Sequence, residues 1–118
     1  MKNIDELSIE IKEVVGMVGE ESIRVQVSKE VSLEIFKRGR ILKGRIIEDS
    51  SKEHKDQVLD LLGNNMIPNK WFCKDAIDVL LKSMSIALGR VYTLNSGGMP
   101  CYSFKDGKKI LLNRKVLG

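Results

Sequence analysis

The pattern of apolar and polar residues predicts a helix and then a strand at the start of the chain. Apolar side chains recur every three or four positions over residues 4–15, which is the spacing of an amphipathic helix. That repeat stops at Gly16. Residues 22–28 then alternate, with one side apolar at Ile23, Val25 and Val27. The sequence therefore predicts a helix over 4–15 and a half-buried strand over 22–28.

Residues 29–38 fit two structures. Their apolar positions alternate as in a strand, at Val31, Leu33 and Ile35. Ser28 and Gly39, however, are suitable caps for the two ends of a helix. Because both cap signals are present, we favour a helix. The alternating apolar positions leave a strand as the alternative.

A basic stretch follows. Residues 40–48 (RILKGRIIE) have the composition of a strand. Between residues 37 and 45 the chain carries five cations and no acidic residue, at Lys37, Arg38, Arg40, Lys43 and Arg45.

The second half of the chain predicts three helices. The first is expected over Lys55–Leu62. The second begins near Lys74 and ends at a tight turn over Lys82–Met84. The third is expected over Ser85–Leu94, because a serine can cap its start and the glycines of Asn95–Gly98 can end it.

A β-hairpin is predicted near the end of the chain. Its strands are expected over Cys101–Phe104 and Lys109–Leu112. The Asp106-Gly107 pair between them is a strong signal for a tight hairpin turn.

Composition indicates a globular protein. The 118 residues are 42% apolar and 31% charged, which is enough apolar material for one domain, or for two small ones sharing a core. No apolar run approaches the roughly 18 residues that cross a bilayer, and the first residues are too charged for a signal peptide. We therefore expect a cytoplasmic protein that does not enter the membrane.

Metal or cofactor chemistry is not expected. Cys73 and Cys101 lie far apart in sequence, and His54 is the single histidine. A structural zinc site needs about four nitrogen or sulfur ligands, which this set does not supply. The two cysteines are expected to be reduced and buried.

The charge of the chain is unevenly distributed. The net charge is +4 overall, but residues 1–34 carry eight acidic and four basic side chains. Residues 79–118 carry seven basic side chains against Asp106 alone. A positive field confined to one part of a molecule suits a polyanionic partner.

From residue 52 onward the chain resembles the winged helix-turn-helix family of DNA-binding proteins. The resemblance rests on the predicted order of three helices and a hairpin, with Trp71-Phe72 as a short strand before the second helix. It implies a recognition helix at about Ser85–Leu94 in the major groove and a basic wing, Cys101–Leu112, on the DNA backbone. The smaller excisionase-type winged helix is a similar relative, because Gly-Met-Pro leads directly into the hairpin here.

The resemblance also implies the residues that would contact DNA. Arg90 would contact a guanine or a phosphate, and the wing lysines would contact phosphates. The full set of implied DNA-binding residues is Ser85, Leu88, Gly89, Arg90, Thr93, Lys105, Lys108 and Lys109. Leu88 and Tyr92 depart from the family pattern. Leu88 is apolar on a helix face that is usually polar, and Tyr92 is a large ring where small or charged residues are common.

Three other functions are weighed against this one. A strand at 22–28 followed by a capped helix resembles half of a ribbon-helix-helix module, with Ser22, Arg24, Gln26 and Ser28 reading the groove. The same winged helix could instead contact protein, as an accessory subunit from a virus, a plasmid or a larger complex. An enzyme is not expected, because no nucleophile and base or metal cluster is evident; Asp75 and Asp78, three residues apart, read as a solvated helix face.

The sequence thus predicts an α+β protein that binds double-stranded DNA as a transcriptional regulator. Residues 1–50 are expected to form an N-terminal α/β layer, and residues 51–118 the winged helix-turn-helix domain. Since the helix and strand of the N-terminal layer need a partner surface, a homodimer is expected.

Overall fold

A computed structural model describes residues 1–48, 58–68 and 73–112 of the chain. It confirms the α+β class, but the winged helix-turn-helix architecture is wrong. The described residues form two helices and eight strands instead of three helices and one hairpin. The elements are α1 (Ile4–Met17), β1 (Ile23–Gln26), β2 (Val31–Arg38), β3 (Ile41–Glu48), β4 (Val58–Asp60), β5 (Asn65–Pro68), α2 (Lys74–Leu88), β6 (Tyr92–Ser96), β7 (Met99–Lys105) and β8 (Lys108–Leu111).

The first sheet is antiparallel throughout, in the order β1-β2-β3-β4. Its register places Ile35 of β2 between Ile23 of β1 and Gly44 of β3. Alternate residues of β2 are fully buried, because this face of the sheet packs on the core. The other face carries most of the charged side chains of β2 and β3.

The second sheet has the order β5-β6-β7-β8. Strand β5 runs parallel to β6, and the other pairs are antiparallel. Tyr92 of β6 lies opposite Phe104 of β7, and both side chains are fully buried against the core. A register shift after Leu94 marks a bulge in β6.

The two helices pack against each other; α1 also contacts β1 of the first sheet, and α2 contacts β7 and β8 of the second. One cluster of buried side chains draws on both halves of the chain, including Leu7 and Ile11 of α1 and Leu80, Leu81 and Met84 of α2. Within the described part of the chain, neither helix is long and apolar enough to cross a membrane. The predicted boundary at residue 50 lies outside the described residues, and the division into two domains stays a prediction.

The helix favoured over residues 29–38 is wrong, since this stretch is β2. The Ser28 hydroxyl does accept hydrogen bonds from the N–H groups of Glu30 and Val31, at 3.3 and 3.2 Å. These bonds cap a turn between two strands instead of a helix. The correction also removes the ribbon-helix-helix alternative, because a strand follows β1 where that module needs a helix.

The predicted turn at Lys82–Met84 and the third helix over Ser85–Leu94 are also wrong. Helix α2 continues without interruption from Lys74 to Leu88. The Ser83 hydroxyl donates to the carbonyl of Val79, at 2.7 Å, so it is satisfied inside the helix and is not an N-cap. Gly89 ends α2 in the left-handed conformation, with φ at 63°, and the chain then enters β6.

Of three further predicted elements, two are confirmed and one is wrong where it is described. The helix over 4–15 is confirmed as α1, and the C-terminal hairpin is confirmed as β7 and β8. The helix over Lys55–Leu62 is wrong where it is described, because Val58–Asp60 is strand β4. Residues 49–57, like Trp71-Phe72, lie outside the described residues.

Candidate nucleic-acid interface

The β2–β3 hairpin extends beyond both neighbouring strands. Strand β1 pairs with β2 as far as Ile35, and β4 pairs with β3 as far as Lys43. We call Phe36–Lys43 the ribbon; all of it except Lys43, which pairs with Asp60 of β4, lies beyond the paired residues of both neighbours. Within the described chain, one further backbone hydrogen bond reaches the edge of the ribbon. The Leu61 N–H donates it to the Leu42 carbonyl, at 3.1 Å. The end of the ribbon beyond Leu42 is therefore a two-stranded arm.

A two-residue turn closes the ribbon. Arg38 pairs with Ile41, so Gly39 and Arg40 form the turn. Gly39 has φ at +65°, which the first position of a type II′ hairpin turn requires and which glycine adopts without strain. The turn leaves Arg40 exposed at the tip.

The ribbon and its base concentrate positive charge. Lys37, Arg38 and Arg40 are exposed, and Lys43 and Arg45 are half-buried. Among the described residues no salt bridge involves the first four of these cations. Because the hairpin has no carboxylate between Glu34 and Glu48, its outer half has a strongly positive field.

Phe36 contacts two arginine side chains, that of Arg38 beside the turn and that of Arg45 below the ribbon. The guanidinium carbon of Arg38 lies 5.7 Å from the ring centroid, and that of Arg45 lies 5.4 Å away. Arg45 also donates from Nη1 to a carboxylate oxygen of Glu34, at 3.1 Å. The ring therefore favours particular positions for both guanidinium groups through cation–π attraction.

Two of the sequence-predicted DNA contacts have structural roles at the end of α2. Ser85 is only 1% exposed, and its hydroxyl accepts a hydrogen bond from the Gly107 N–H at 2.8 Å. Gly89 is the left-handed cap residue of α2. Leu88 is half-buried and packs on the core. None of these three lies on a groove-reading helix, because α2 ends here.

Arg90 and Thr93 lie near the start of β6. Arg90 is exposed. Burial raises the pKa of the Tyr92 hydroxyl, and the positive charge of Arg90 nearby lowers it in part. Thr93 points to the other face of the second sheet, where its hydroxyl and that of Ser103 are 3.0 Å apart.

The three predicted lysines sit at the β7–β8 turn, in two different environments. Lys105 and Lys108 pair across the turn and are exposed. Lys109 instead contacts Asp78 of α2, with Nζ 2.9 Å from Oδ2, and lies 4.2 Å from the centroid of the Tyr102 ring. Asp106 and Gly107 both have positive φ, as a type I′ turn requires.

The ribbon and the β7–β8 hairpin are linked through Leu61. Leu61 joins the sheets, because its N–H bonds to Leu42 of β3 and its carbonyl accepts from the Tyr92 hydroxyl at 2.8 Å. Tyr92 begins β6, and its partner Phe104 is next to the β7–β8 turn. We call the ribbon, the β7–β8 turn and Arg90 together the basic end; its cations are Lys37, Arg38, Arg40, Lys43, Arg90, Lys105 and Lys108.

Carboxylates at this end are fewer. Asp60 lies opposite Lys43, and Asp106 is in the β7–β8 turn. Glu20 and Glu21 precede β1. The basic end therefore keeps an excess of positive charge. The cation run of the ribbon is visible in the sequence, but the predicted interface lay elsewhere. The run, together with the alternating Val31, Leu33 and Ile35 before it, is the signal for a basic hairpin.

The open end of the β2–β3 hairpin, away from the ribbon, places Glu30 and Glu48 next to Cys73. The thiol donates to Glu30 Oε2 at 3.0 Å, and the Cys73 N–H donates to Glu48 Oε1 at 3.1 Å. The hydrogen bond to Glu30, with burial and Glu48, raises the pKa of the Cys73 thiol to about 11. Such a thiol is a poor nucleophile at neutral pH. Among the described residues, no group of three histidine, cysteine or acidic side chains is arranged to hold a metal.

The chain matches no known protein-family model, no curated protein and no solved structure.

Proposed function

We propose that this protein binds double-stranded DNA through its basic end, without catalysis. The observation that carries the proposal is the ribbon, whose cations Lys37, Arg38, Arg40 and Lys43 make no salt bridge among the described residues. Arg90, Lys105 and Lys108 extend the same positive surface onto the second sheet. Phosphate contacts by lysine and arginine supply most of the affinity of non-specific DNA binding.

The proposal differs from the sequence-based prediction in its contact surface. A recognition helix over Ser85–Leu94 has no part in it, because that segment is the end of α2, a glycine cap and a strand. Three of the cations named for that helix and its wing nevertheless belong to the basic end. Lys109 does not, since Asp78 already neutralises it.

Salt dependence of DNA binding tests the proposal. A labelled mixed-sequence duplex is titrated with protein at several salt concentrations, and the affinity is measured by fluorescence anisotropy. Each phosphate that a cation neutralises contributes about −0.9 to the slope of log affinity against log salt. Arg38→Ala/Arg40→Ala should therefore weaken binding and make the slope shallower by about 2.

The matched control removes the same charge elsewhere. Lys12 on α1 and Lys29 before β2 are both exposed, so Lys12→Ala/Lys29→Ala changes the net charge equally. That variant should keep the slope of the wild type. Absence of binding at low salt would overturn the proposal and leave protein contact as the function of the basic end. Equal weakening by both variants would show that overall charge, not the ribbon, governs binding.

The expected homodimer is a separate proposal and affects the stoichiometry. One copy has a mass of 13.3 kDa. Light scattering of the free protein at the concentrations used for the titration should give twice that mass if the predicted dimer forms.

A further inference from the structure

We infer that the ribbon enters the major groove of duplex DNA, with Arg38 at the base edges. This inference rests on the proposed function and goes beyond it, because the proposal requires only phosphate contacts. It identifies a groove and a residue that reads it.

The dimensions of the ribbon fit one groove and not the other. Two paired strands lie about 4.8 Å apart, and their side chains widen the arm further. The major groove is about 12 Å wide and admits a two-stranded ribbon, whereas the minor groove is only about 6 Å wide. Since β1 stops at Ile35 and β4 at Lys43, no described strand lies beside the tip to prevent entry.

The side chains at the tip suit the major groove. Arg38 and Ile41 are directly opposite each other in register, so they lie on the same face of the ribbon. An arginine can donate two hydrogen bonds to O6 and N7 of guanine, which both face the major groove. Ile41 is 49% exposed although it is apolar, and an apolar side chain can contact the methyl group of thymine.

The position of Arg38 is favoured before DNA arrives. Its guanidinium lies over the Phe36 ring, and this contact restricts the side-chain conformations of Arg38. Less conformational entropy is then lost when DNA binds. Arg40 in the turn has no such contact among the described residues. Arg38 is therefore the better candidate for a base contact, and Arg40 for a phosphate contact.

The aromatic side chains favour duplex over single strands. Proteins that bind single strands stack bases on exposed aromatic rings. In the described chain, Tyr92 and Phe104 are fully buried, and Lys109 lies over Tyr102. Phe36 has a guanidinium over its ring on the ribbon. Tyr92 and Phe104 are buried and Phe36 and Tyr102 are half-buried with cations against their rings, so none of the four is a fully exposed stacking surface.

Duplexes with altered grooves test the inference with the full chain. Replacing every guanine by 7-deazaguanine removes the N7 acceptor from the major groove and leaves the phosphates unchanged. The wild type should bind this duplex about 5- to 10-fold more weakly than the normal duplex. Netropsin, which occupies the minor groove, should leave binding unchanged, and the single strand of the same sequence should bind more weakly.

Arg38→Lys is the matched variant. It keeps the positive charge and loses the planar two-pronged donor, so it should keep the salt slope and distinguish the two duplexes less than the wild type does. If the wild type binds both duplexes equally, or if netropsin displaces it, the ribbon does not enter the major groove. Salt-dependent binding in that case would still support the proposed function, whereas no binding to any duplex would overturn both.

Discussion

The two basic hairpins of this protein are held in opposite ways. The β2–β3 hairpin is fixed at its base, where β1 and β4 pair with it, and its tip extends past both strands. The β7–β8 hairpin is fixed at its tip, because Ser85 bonds to Gly107 and Asp78 contacts Lys109. In sequence both hairpins look like lysine- and arginine-rich turns.

The difference shows how a run of positive charge should be interpreted. Lys109 is one of three lysines near the β7–β8 turn, but a carboxylate on α2 and two aromatic rings take up its charge. Arg38 and Arg40 have no carboxylate contact among the described residues. Charge is available to a partner only where the fold leaves it without a counter-charge, and this depends on residues that are distant in sequence.

The largest effect is expected at the base of the ribbon. A Cβ on Gly44 would lie 2.6 Å from Cδ2 of Leu61, which is fully buried and has little room to move. Gly44→Ala should therefore destabilise the fold by about 1–3 kcal/mol through overpacking. Urea unfolding measures the loss.

Gly16 provides the matched control for that substitution. It lies in α1, and nothing is within 4 Å of a Cβ placed there. Gly16→Ala should be neutral or stabilise the protein by up to about 1 kcal/mol. If Gly44→Ala were as stable as Gly16→Ala, the packing of Leu61 against β3 would not hold the base of the ribbon.

The link between the hairpins depends on the Tyr92 hydroxyl. Tyr92→Phe leaves the Leu61 carbonyl without its donor and should cost about 1–2 kcal/mol. Burial raises the pKa of Tyr92 in the folded state. A raised folded-state pKa means that the unfolded tyrosine ionises first, so stability is retained below about pH 10 and falls as the pH rises above it.

Chemical denaturation at pH 8 and at several values above pH 10 tests both parts. The wild type should lose stability more steeply than Tyr92→Phe in the alkaline range, because only the wild type has this hydroxyl. Tyr102→Phe is the control, since Tyr102 is half-buried and donates no hydrogen bond among the described residues. Parallel alkaline profiles for wild type and Tyr92→Phe would contradict the role of Tyr92.

Ser85 should control the mobility of the β7–β8 turn. Ser85→Ala removes the acceptor of the Gly107 N–H, and we expect a loss of about 1 kcal/mol. Hydrogen exchange of the Gly107 amide should accelerate more than that of amides in β2 and β3. Thr93→Ala, which removes a hydroxyl contact on the far face of the same sheet, should leave that amide unchanged.

The parts of the fold that are determined by residues close together in sequence could be predicted. Helix α1 follows from apolar spacing, and the β7–β8 turn follows from Asp106-Gly107, which both adopt the positive φ that the turn needs. Residues 29–38 were not predictable in this way, because Ser28 and Gly39 cap hairpin turns as well as helices. Pairing of β2 with β1 and β3 and burial of its apolar face in the core decide the matter, and the core contacts are not local.

The candidate site could be predicted only as a set of cations. Arg90 was expected to bind DNA from a recognition helix that does not exist, whereas Lys105 and Lys108 were expected on a hairpin that does form, as β7 and β8. The gathering of these residues with the ribbon depends on Leu61, which bonds both to Leu42 and to Tyr92. Nothing in the local sequence of Leu61 indicates that role, so the shape of the interface required the structure.

The smallest effect is expected for Lys109, and it tests the comparison most directly. Its ion pair with Asp78 is partly exposed, so Lys109→Ala should cost at most about 1 kcal/mol of stability. The same substitution should change DNA affinity less than Lys108→Ala, because the charge of Lys109 is already neutralised. Anisotropy titrations of both variants at low salt measure this difference. Asp78→Ala should then strengthen DNA binding by releasing the lysine. If Lys109→Ala weakened binding as much as Lys108→Ala, the two hairpins would be equivalent in charge, and the distinction between them would be wrong.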